Sequence, residues 1–248
     1  MSKWVTGKII KNKFWTNSLF SLIIKAPIKT FIAGQYAKLS LKINGERIQR
    51  AYSYVNPPSS NNLEFYFVII PNGKLSSNLA KLQYGDRLQI TYEANGSFIL
   101  KEIPKCQNLW MLSTGTAIGP FLSILQDGND LVRFKNIILL HAVRHQKDLV
   151  FLPLMNKLKQ NLEGKLHIVT VVSREVCKNS LHGRIPSLIK NSELENTVGI
   201  QLSSKTCHVM LCGNPEMVKN TRELLENNYN MKKHFRGNQG NISNEQYW

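Results

Sequence analysis

Apolar and polar residues alternate with a period of two through much of the first hundred residues. Leu39, Leu41 and Ile43 are separated by Ser40 and Lys42, and Leu88, Ile90 and Tyr92 by Gln89 and Thr91. Such alternation puts one set of side chains on each face of a strand. Val5–Ile10, Leu19–Lys25, Gln49–Val55 and Leu63–Ile70 are further runs of strand length. Turn residues separate them: Asn44-Gly45, Asn56-Pro57-Pro58, Pro71-Asn72-Gly73 and Tyr84-Gly85-Asp86,. Six short strands punctuated in this way predict a closed antiparallel barrel.

The rhythm changes after about Lys101. Apolar runs at Leu109–Leu112, Asn136–Val143, Leu166–Val172 and His208–Cys212 alternate with helix-like segments. Those segments are Gly119–Gln126, Leu152–Gln160, Ile185–Lys190 and Pro215–Asn227. Strands alternating with helices predict βαβ units and a parallel sheet covered on both faces. The fold class expected is therefore a two-domain β plus α/β protein, with a β-barrel over residues 1–101 and an α/β domain over 102–248. Glu102–Gln107, which contains Pro104, marks the boundary. The chain carries no internal repeat and no low-complexity tract.

Composition narrows the class. Of the 248 residues 42% are apolar and 19% charged, a globular balance rather than a disordered one,. The longest apolar stretches, such as 108–112 and 137–143, fall far short of the ~20 residues that span a bilayer. The start, MSKWVTGKII, lacks the apolar core of a signal peptide, so a cytoplasmic protein without membrane attachment is expected,. Cys106, Cys177, Cys207 and Cys212 form no CxxC pair and no zinc or iron–sulfur spacing, which predicts free thiols and no metal,. The six histidines, His141 among them, have no metal-like spacing either and read as structural or surface residues.

The formal net charge is +16. Lysine outnumbers arginine by more than two to one, and the lysines are scattered. Nucleic-acid binders tend to concentrate charge in a patch and to enrich arginine. Three readings of the charge stand together: AT-biased composition, an acidic protein partner, or nucleic acid.

Five loops carry candidate chemistry. In Arg50-Ala51-Tyr52-Ser53, the arginine suits a pyrophosphate, the tyrosine a flat ring and the serine a hydrogen bond to it; the same residues also suit a plain strand edge,. Pro71–Ser77, with Gly73, Lys74, Leu75 and Ser76, links a strand to a helix-like stretch, as a phosphate loop or as a simple turn,. Ser113-Thr114-Gly115-Thr116-Ala117-Ile118-Gly119-Pro120 follows a buried strand and opens a helix, the placement of a dinucleotide loop, but its spacing is GxxxG and not GxGxxG,. Leu211–Met217 sets Cys212 where open α/β sheets bind ligands, or else is a buried thiol before a tight turn,. Ser173-Arg174 and Arg184 offer guanidinium groups for phosphate or for solvent,. The chain ends Glu245-Gln246-Tyr247-Trp248, an aromatic pair that is costly to expose,.

In this order and spacing, from Trp4 to Trp248, the segments RAYS, GKLS, STGTAIGP, SRE and LCGNPEM resemble the ferredoxin–NADP⁺ reductase family, and within it the bacterial members whose chains end in an aromatic pair. The resemblance implies an N-terminal antiparallel Greek-key barrel that binds FAD and a C-terminal α/β parallel-sheet domain that binds NADP(H). It implies that Arg50, Ala51, Tyr52, Ser53, Tyr66, Lys74, Leu75 and Ser76 line the FAD site. Thr116 would face both cofactors, and Tyr247 and Trp248 would pack on FAD. Val143, Arg144, Ser173, Arg174, Arg184, Asn214, Pro215 and Glu216 would meet NADP(H), with Arg174 and Arg184 at its 2′-phosphate.

Ser53, Cys212 and Glu245 are the implied catalytic group around the transferring hydride. Their role is orientation and electrostatics, since hydride passes directly between the cofactors. The implied partners are the acidic one-electron carriers ferredoxin and flavodoxin, served by a monomer without nucleic acid. A related FAD reductase serving an oxygenase or a small acceptor is the alternative. Two departures from the family pattern stand out: Ala117 replaces a second glycine, and residues 232–240 read KKHFRGNQG where relatives carry more arginine.

Overall fold

The computed structural model describes residues 3–235 and 237–247. The chain divides into two compact units, one comprising Met1–Ile99 and Gly119–Gly128, the other Leu100–Ile118 and Asn129–Trp248.

The first unit is built on six antiparallel strands: β1 (Trp4–Phe14), β2 (Leu19–Lys25), β3 (Tyr36–Ile43), β4 (Glu46–Ser53), β5 (Leu63–Val68) and β6 (Arg87–Thr91). Their order is β4-β3-β6-β1-β2-β5. The two outermost strands approach through an antiparallel bridge between Tyr54 and Phe65, which brings the ends of the sheet together. The predicted alternation is what buries the interior, with Phe20, Leu22, Ile24, Leu39, Phe65 and Ile90 all fully enclosed. Burying each such side chain is worth roughly 1.5–3 kcal/mol before the cost of ordering it.

Three strands run further than the apolar pattern alone predicts. β1 continues through Lys11, Asn12 and Lys13 because its ladder with β2 continues there, past a bulge between Ile9 and Lys11. β3 and β4 extend to meet over Asn44-Gly45, where φ is +50° and +85°, the left-handed pair that a tight hairpin needs,. A short helix α1 (Ser76–Leu79) follows β5.

Helix α2 (Gly119–Asp127) packs with this first unit, although it lies beyond β7 (Asn108–Thr114) in the chain. The Ser123 hydroxyl donates to the Asn56 carbonyl at 2.7 Å, and the Gln126 amide to the Val55 carbonyl at 2.7 Å. The Phe121 ring meets Phe98 at 5.5 Å between centroids.

The second unit is a wholly parallel sheet in the order β10-β9-β8-β7-β11-β12. Its further strands are β8 (Asn136–Val143), β9 (Leu166–Val172), β10 (Leu181–His182), β11 (Cys207–Gly213) and β12 (Ile242–Gln246). Helices α3 (Leu152–Asn161), α4 (Ile185–Lys190), α5 (Glu193–Val198) and α6 (Pro215–Tyr229) complete it. β10, α5 and β12 are additions to the sequence expectation. β12, ISNEQ, has only Ile242 as an apolar side chain and owes its place to backbone pairing with β11. α5 is fixed by the buried Glu195 carboxylate, which accepts from the Leu202 N–H at 2.7 Å and from the Tyr229 hydroxyl at 2.8 Å.

The strand order reverses at β7. From it the chain moves outward through β8, β9 and β10, then returns to β11 on its other side. The crevice outside the carboxyl ends of β7 and β11 is therefore the topological switch point, where open α/β sheets bind ligands.

Candidate active site

In the first unit the RAYS segment forms the carboxyl end of β4. Ala51 is exposed and pairs with Lys38, Tyr52 pairs with Ala37, and buried Ser53 pairs with Tyr36. The Tyr52 ring packs edge-on against Phe67, with centroids 4.6 Å apart. Burial pushes its hydroxyl up to about 12, against the opposing pull of the Arg50 charge, so it remains a neutral donor,. Arg50 is exposed and donates to the Gln49 carbonyl at 2.8 Å. Tyr66 is buried on β5.

Lys74, Leu75 and Ser76 lie at the start of α1, which the loop enters through ordered contacts. Ser76 Oγ accepts from the Ile70 N–H at 3.1 Å, and the Gly73 N–H donates to the Ile70 carbonyl at 2.8 Å. Leu75 and Ser76 are buried while Lys74 is exposed. The loop thus presents one ammonium group above a backbone held by its own hydrogen bonds.

In the second unit three chain segments converge at the switch point. Thr114 ends β7, and Gly115, with φ of +55°, opens a single turn of 3₁₀ helix over Gly115–Ile118 in which Thr116 is buried. At the end of β11, Gly213 has φ of +142°, and a Cβ there would collide with the Thr114 hydroxyl. That hydroxyl accepts from the Asn214 N–H at 2.9 Å. Asn214 in turn caps α6, its side-chain oxygen accepting from the Glu216 and Met217 N–H groups at 3.0 and 3.2 Å, with Pro215 in the first turn,.

Cys212 and Glu245 face each other in register across β11 and β12. The Cys212 thiol is fully buried. Burial and the Glu245 carboxylate push its pKa well up, while a hydrogen bond with the Tyr247 side chain works the other way. The thiol is neutral and therefore a poor nucleophile. Glu245 is raised by burial to about 7, and its Oε2 is enclosed without a hydrogen-bond partner. The Tyr247 N–H donates to the Gly213 carbonyl at 2.9 Å, which extends the chain beyond β12 along the same strand end. Trp248 lies outside the described residues.

The remaining predicted residues line the same edge of the sheet. Val143 and Val172 pair at the ends of β8 and β9, and Val172 pairs with His182 of β10. Beyond them the Ser173 N–H donates to the Val143 carbonyl at 3.1 Å and the Arg174 N–H to the Arg144 carbonyl at 3.0 Å. Arg184 lies two residues past His182. Arg144, Arg174 and Arg184 therefore leave the carboxyl ends of three adjacent parallel strands. All three are exposed, and none makes an ion pair among the described residues.

Two family models match successive parts of the chain: an oxidoreductase FAD-binding domain matches residues 13–96 and an oxidoreductase NAD-binding domain matches residues 111–223. The flavodoxin/ferredoxin–NADP reductase of Escherichia coli (strain K12) is 56% identical over the full length of both chains. The chain belongs to the flavodoxin/ferredoxin–NADP reductase family. A namesake from Buchnera aphidicola subsp. Baizongia pistaciae is 50% identical over the full length of both chains. A crystal structure of a ferredoxin NADP⁺ reductase from Neisseria gonorrhoeae with bound FAD and NADP superposes with a TM-score of 0.93 at 33% identity, covering 99% of each chain.

The reductase's own side chains fit the two cofactors chemically. Arg50 is an exposed cation whose charge reaches the neutral Tyr52 ring, and Lys74 is a second exposed cation of the same unit, charges that suit an aromatic ring system joined to a pyrophosphate,. The three unpaired guanidinium groups at the sheet edge match phosphate oxygens, and the glycine turn leaves open space at Gly115,. No His, Cys, Asp and Glu cluster suited to a metal occurs among the described residues.

Sequence reasoning missed two contributors. Thr114 stands within the loop STGTAIGP, but its hydroxyl's tie to the Asn214 N–H after β11 has no signal in the motif. His141, fully buried on β8, has its Nε2 at 2.9 Å from the Gly115 carbonyl. Its signal was a lone polar residue in the apolar run of β8.

Proposed function

We propose that the FAD-dependent transfer of electrons between NADP(H) and ferredoxin or flavodoxin is divided among these residues as follows. Arg174 and Arg184 hold the 2′-phosphate, with Arg144 beside them and Val143, Ser173, Asn214, Pro215 and Glu216 shaping the nucleotide's path. Arg50, Ala51, Tyr52, Ser53, Tyr66, Lys74, Leu75 and Ser76 hold FAD, Thr116 faces both nucleotides, and Tyr247 and Trp248 cover the flavin. The observation that carries this reading is the row of exposed, unpaired arginines leaving three adjacent parallel strands beside a topological switch point.

Bound FAD supplies the exchange between a two-electron hydride and single electrons. Ser53 orients the ring system through its hydroxyl. Cys212 stays protonated and so adds no negative charge where hydride arrives. Glu245, raised to about 7, holds or releases a proton at its enclosed Oε2 near neutral pH. None of the three forms a covalent bond to substrate; alignment is their contribution.

Acidic carriers suit the wall of the barrel. Lys25, Lys8 and Arg87 stand directly opposite one another on β2, β1 and β6, and all three are exposed. Like charges in that register repel, and none is neutralised by an ion pair among the described residues,. Such a row favours encounter with an acidic partner. In this role the reductase works in the cytoplasm as a monomer.

The test is nucleotide preference. The parent reductase should favour NADPH over NADH. Arg174→Ala and Arg184→Ala should each lower kcat/KM for NADPH about tenfold or more, with NADH little affected. Equal losses with both nucleotides would place these arginines elsewhere than at the 2′-phosphate.

A further inference from the structure

We propose that His141 is a positioning residue that fixes the glycine turn after β7 and thereby sets how Thr116 meets the nucleotides. The inference rests on the reading that this turn lies at the cofactors.

His141 stands opposite Ser113 in the β7–β8 register and is completely enclosed. A carbonyl oxygen can only accept, so the 2.9 Å contact with Gly115 requires the proton on Nε2,. Nδ1 is then a bare acceptor, buried and without a hydrogen-bond partner. Burial holds the ring at about 4, so it stays neutral across the working range,. A leucine, like the neighbouring Leu139 and Leu140, would fill this place in the core without an orphaned ring nitrogen but would take the side-chain donor away from the Gly115 carbonyl,. What histidine adds is the one hydrogen bond to the turn.

That bond completes a set of ties on the end of β7. The Ser113 hydroxyl donates to the Leu140 carbonyl at 2.8 Å, securing β7 to β8. Thr114 secures it to the residue after β11 through the Asn214 N–H. Gly115 is in the left-handed region, and nothing stands within 4 Å of where a Cβ would be. With its carbonyl turned inward to His141, the following peptide groups of the 3₁₀ turn have a fixed direction. Without that anchor a glycine has wide conformational freedom.

The experiment compares His141→Gln, whose amide N–H reaches about as far as Nε2, with His141→Leu, which fills the space and donates nothing. On purified holoenzyme, melting temperature, the visible flavin spectrum with and without NADP⁺, and KM and kcat for NADPH with ferricyanide are measured. Both variants should melt below the parent. The leucine variant should show KM for NADPH raised about tenfold with a smaller change in kcat, and a weakened NADP⁺ difference spectrum. The glutamine variant should recover to within about threefold of the parent.

Equal KM values in parent and leucine variant, with only the melting temperature changed, would reduce His141 to core packing and overturn the proposal. A glutamine variant no better than leucine would do the same. Should the leucine variant fail to accumulate, His141→Asn takes its place; its shorter amide stops short of Gly115, so it must behave as the loss and glutamine as the rescue. A parent with no NADP⁺ difference spectrum would instead overturn the functional reading on which the proposal rests.

Discussion

Glu245 shows how burial writes chemistry onto a single side chain. Its carboxyl is raised from 4.5 to about 7 because the fold encloses Oε2 without a donor. A carboxyl raised in the folded state binds its proton more tightly there than in the unfolded chain. Stability is therefore undiminished below pH 4.5 and falls as pH rises through about 7,. Glu245→Gln should remove a part of that slope worth on the order of 2 kcal/mol between pH 5 and 8. Parallel melting-temperature profiles for the two proteins would show that Glu245 is ionised in the fold. The residue itself was legible in the sequence through the family likeness of the chain's end, but its titration was not. Titration depends on the burial that Glu245 gains in β12, and nothing in the segment ISNEQ predicts a strand. His141 was hidden for a related reason: only the turn above it distinguishes a ligand-positioning histidine from an ordinary core one.

Among the elements, those whose partners lie on both faces were the easiest to read. β8 and β9 are buried runs and match their expected bounds residue for residue. β1 and β12 depend on backbone ladders with a neighbour, so their polar halves carry no periodic signal. The packing of α2 with the barrel is likewise set by long-range contacts at Asn56 and Val55. Loops were legible as motifs but not as joints. Asn214 is both the cap of α6 and the donor to Thr114, so it ties an element to its neighbour as well as starting it. Asn214→Ala should cost about 1 kcal/mol and lower the melting temperature by about 2–4 °C. An unchanged melting temperature would mean that water replaces the cap without loss.

At the scale of the whole molecule, the two family models and the two kinds of sheet coincide: a barrel half for FAD and a parallel-sheet half for the nicotinamide nucleotide. The net charge of +16 acquires a distribution that composition could not supply. Three arginines belong to one sheet edge, and Lys25, Lys8 and Arg87 form a row on the barrel wall. Attraction of an acidic carrier to such a row weakens as salt shortens the screening length to about 8 Å at physiological ionic strength. Electrons pass from NADPH through FAD to a one-electron carrier. Anaerobic reduction of the holoenzyme with NADPH, followed by titration with an acidic ferredoxin or flavodoxin at rising ionic strength, follows that path step by step. NADPH should bleach the flavin, and two carriers per NADPH should reoxidise it, more slowly as salt increases. A flavin that stays oxidised under NADPH, or one that the carrier cannot reoxidise, would contradict that path.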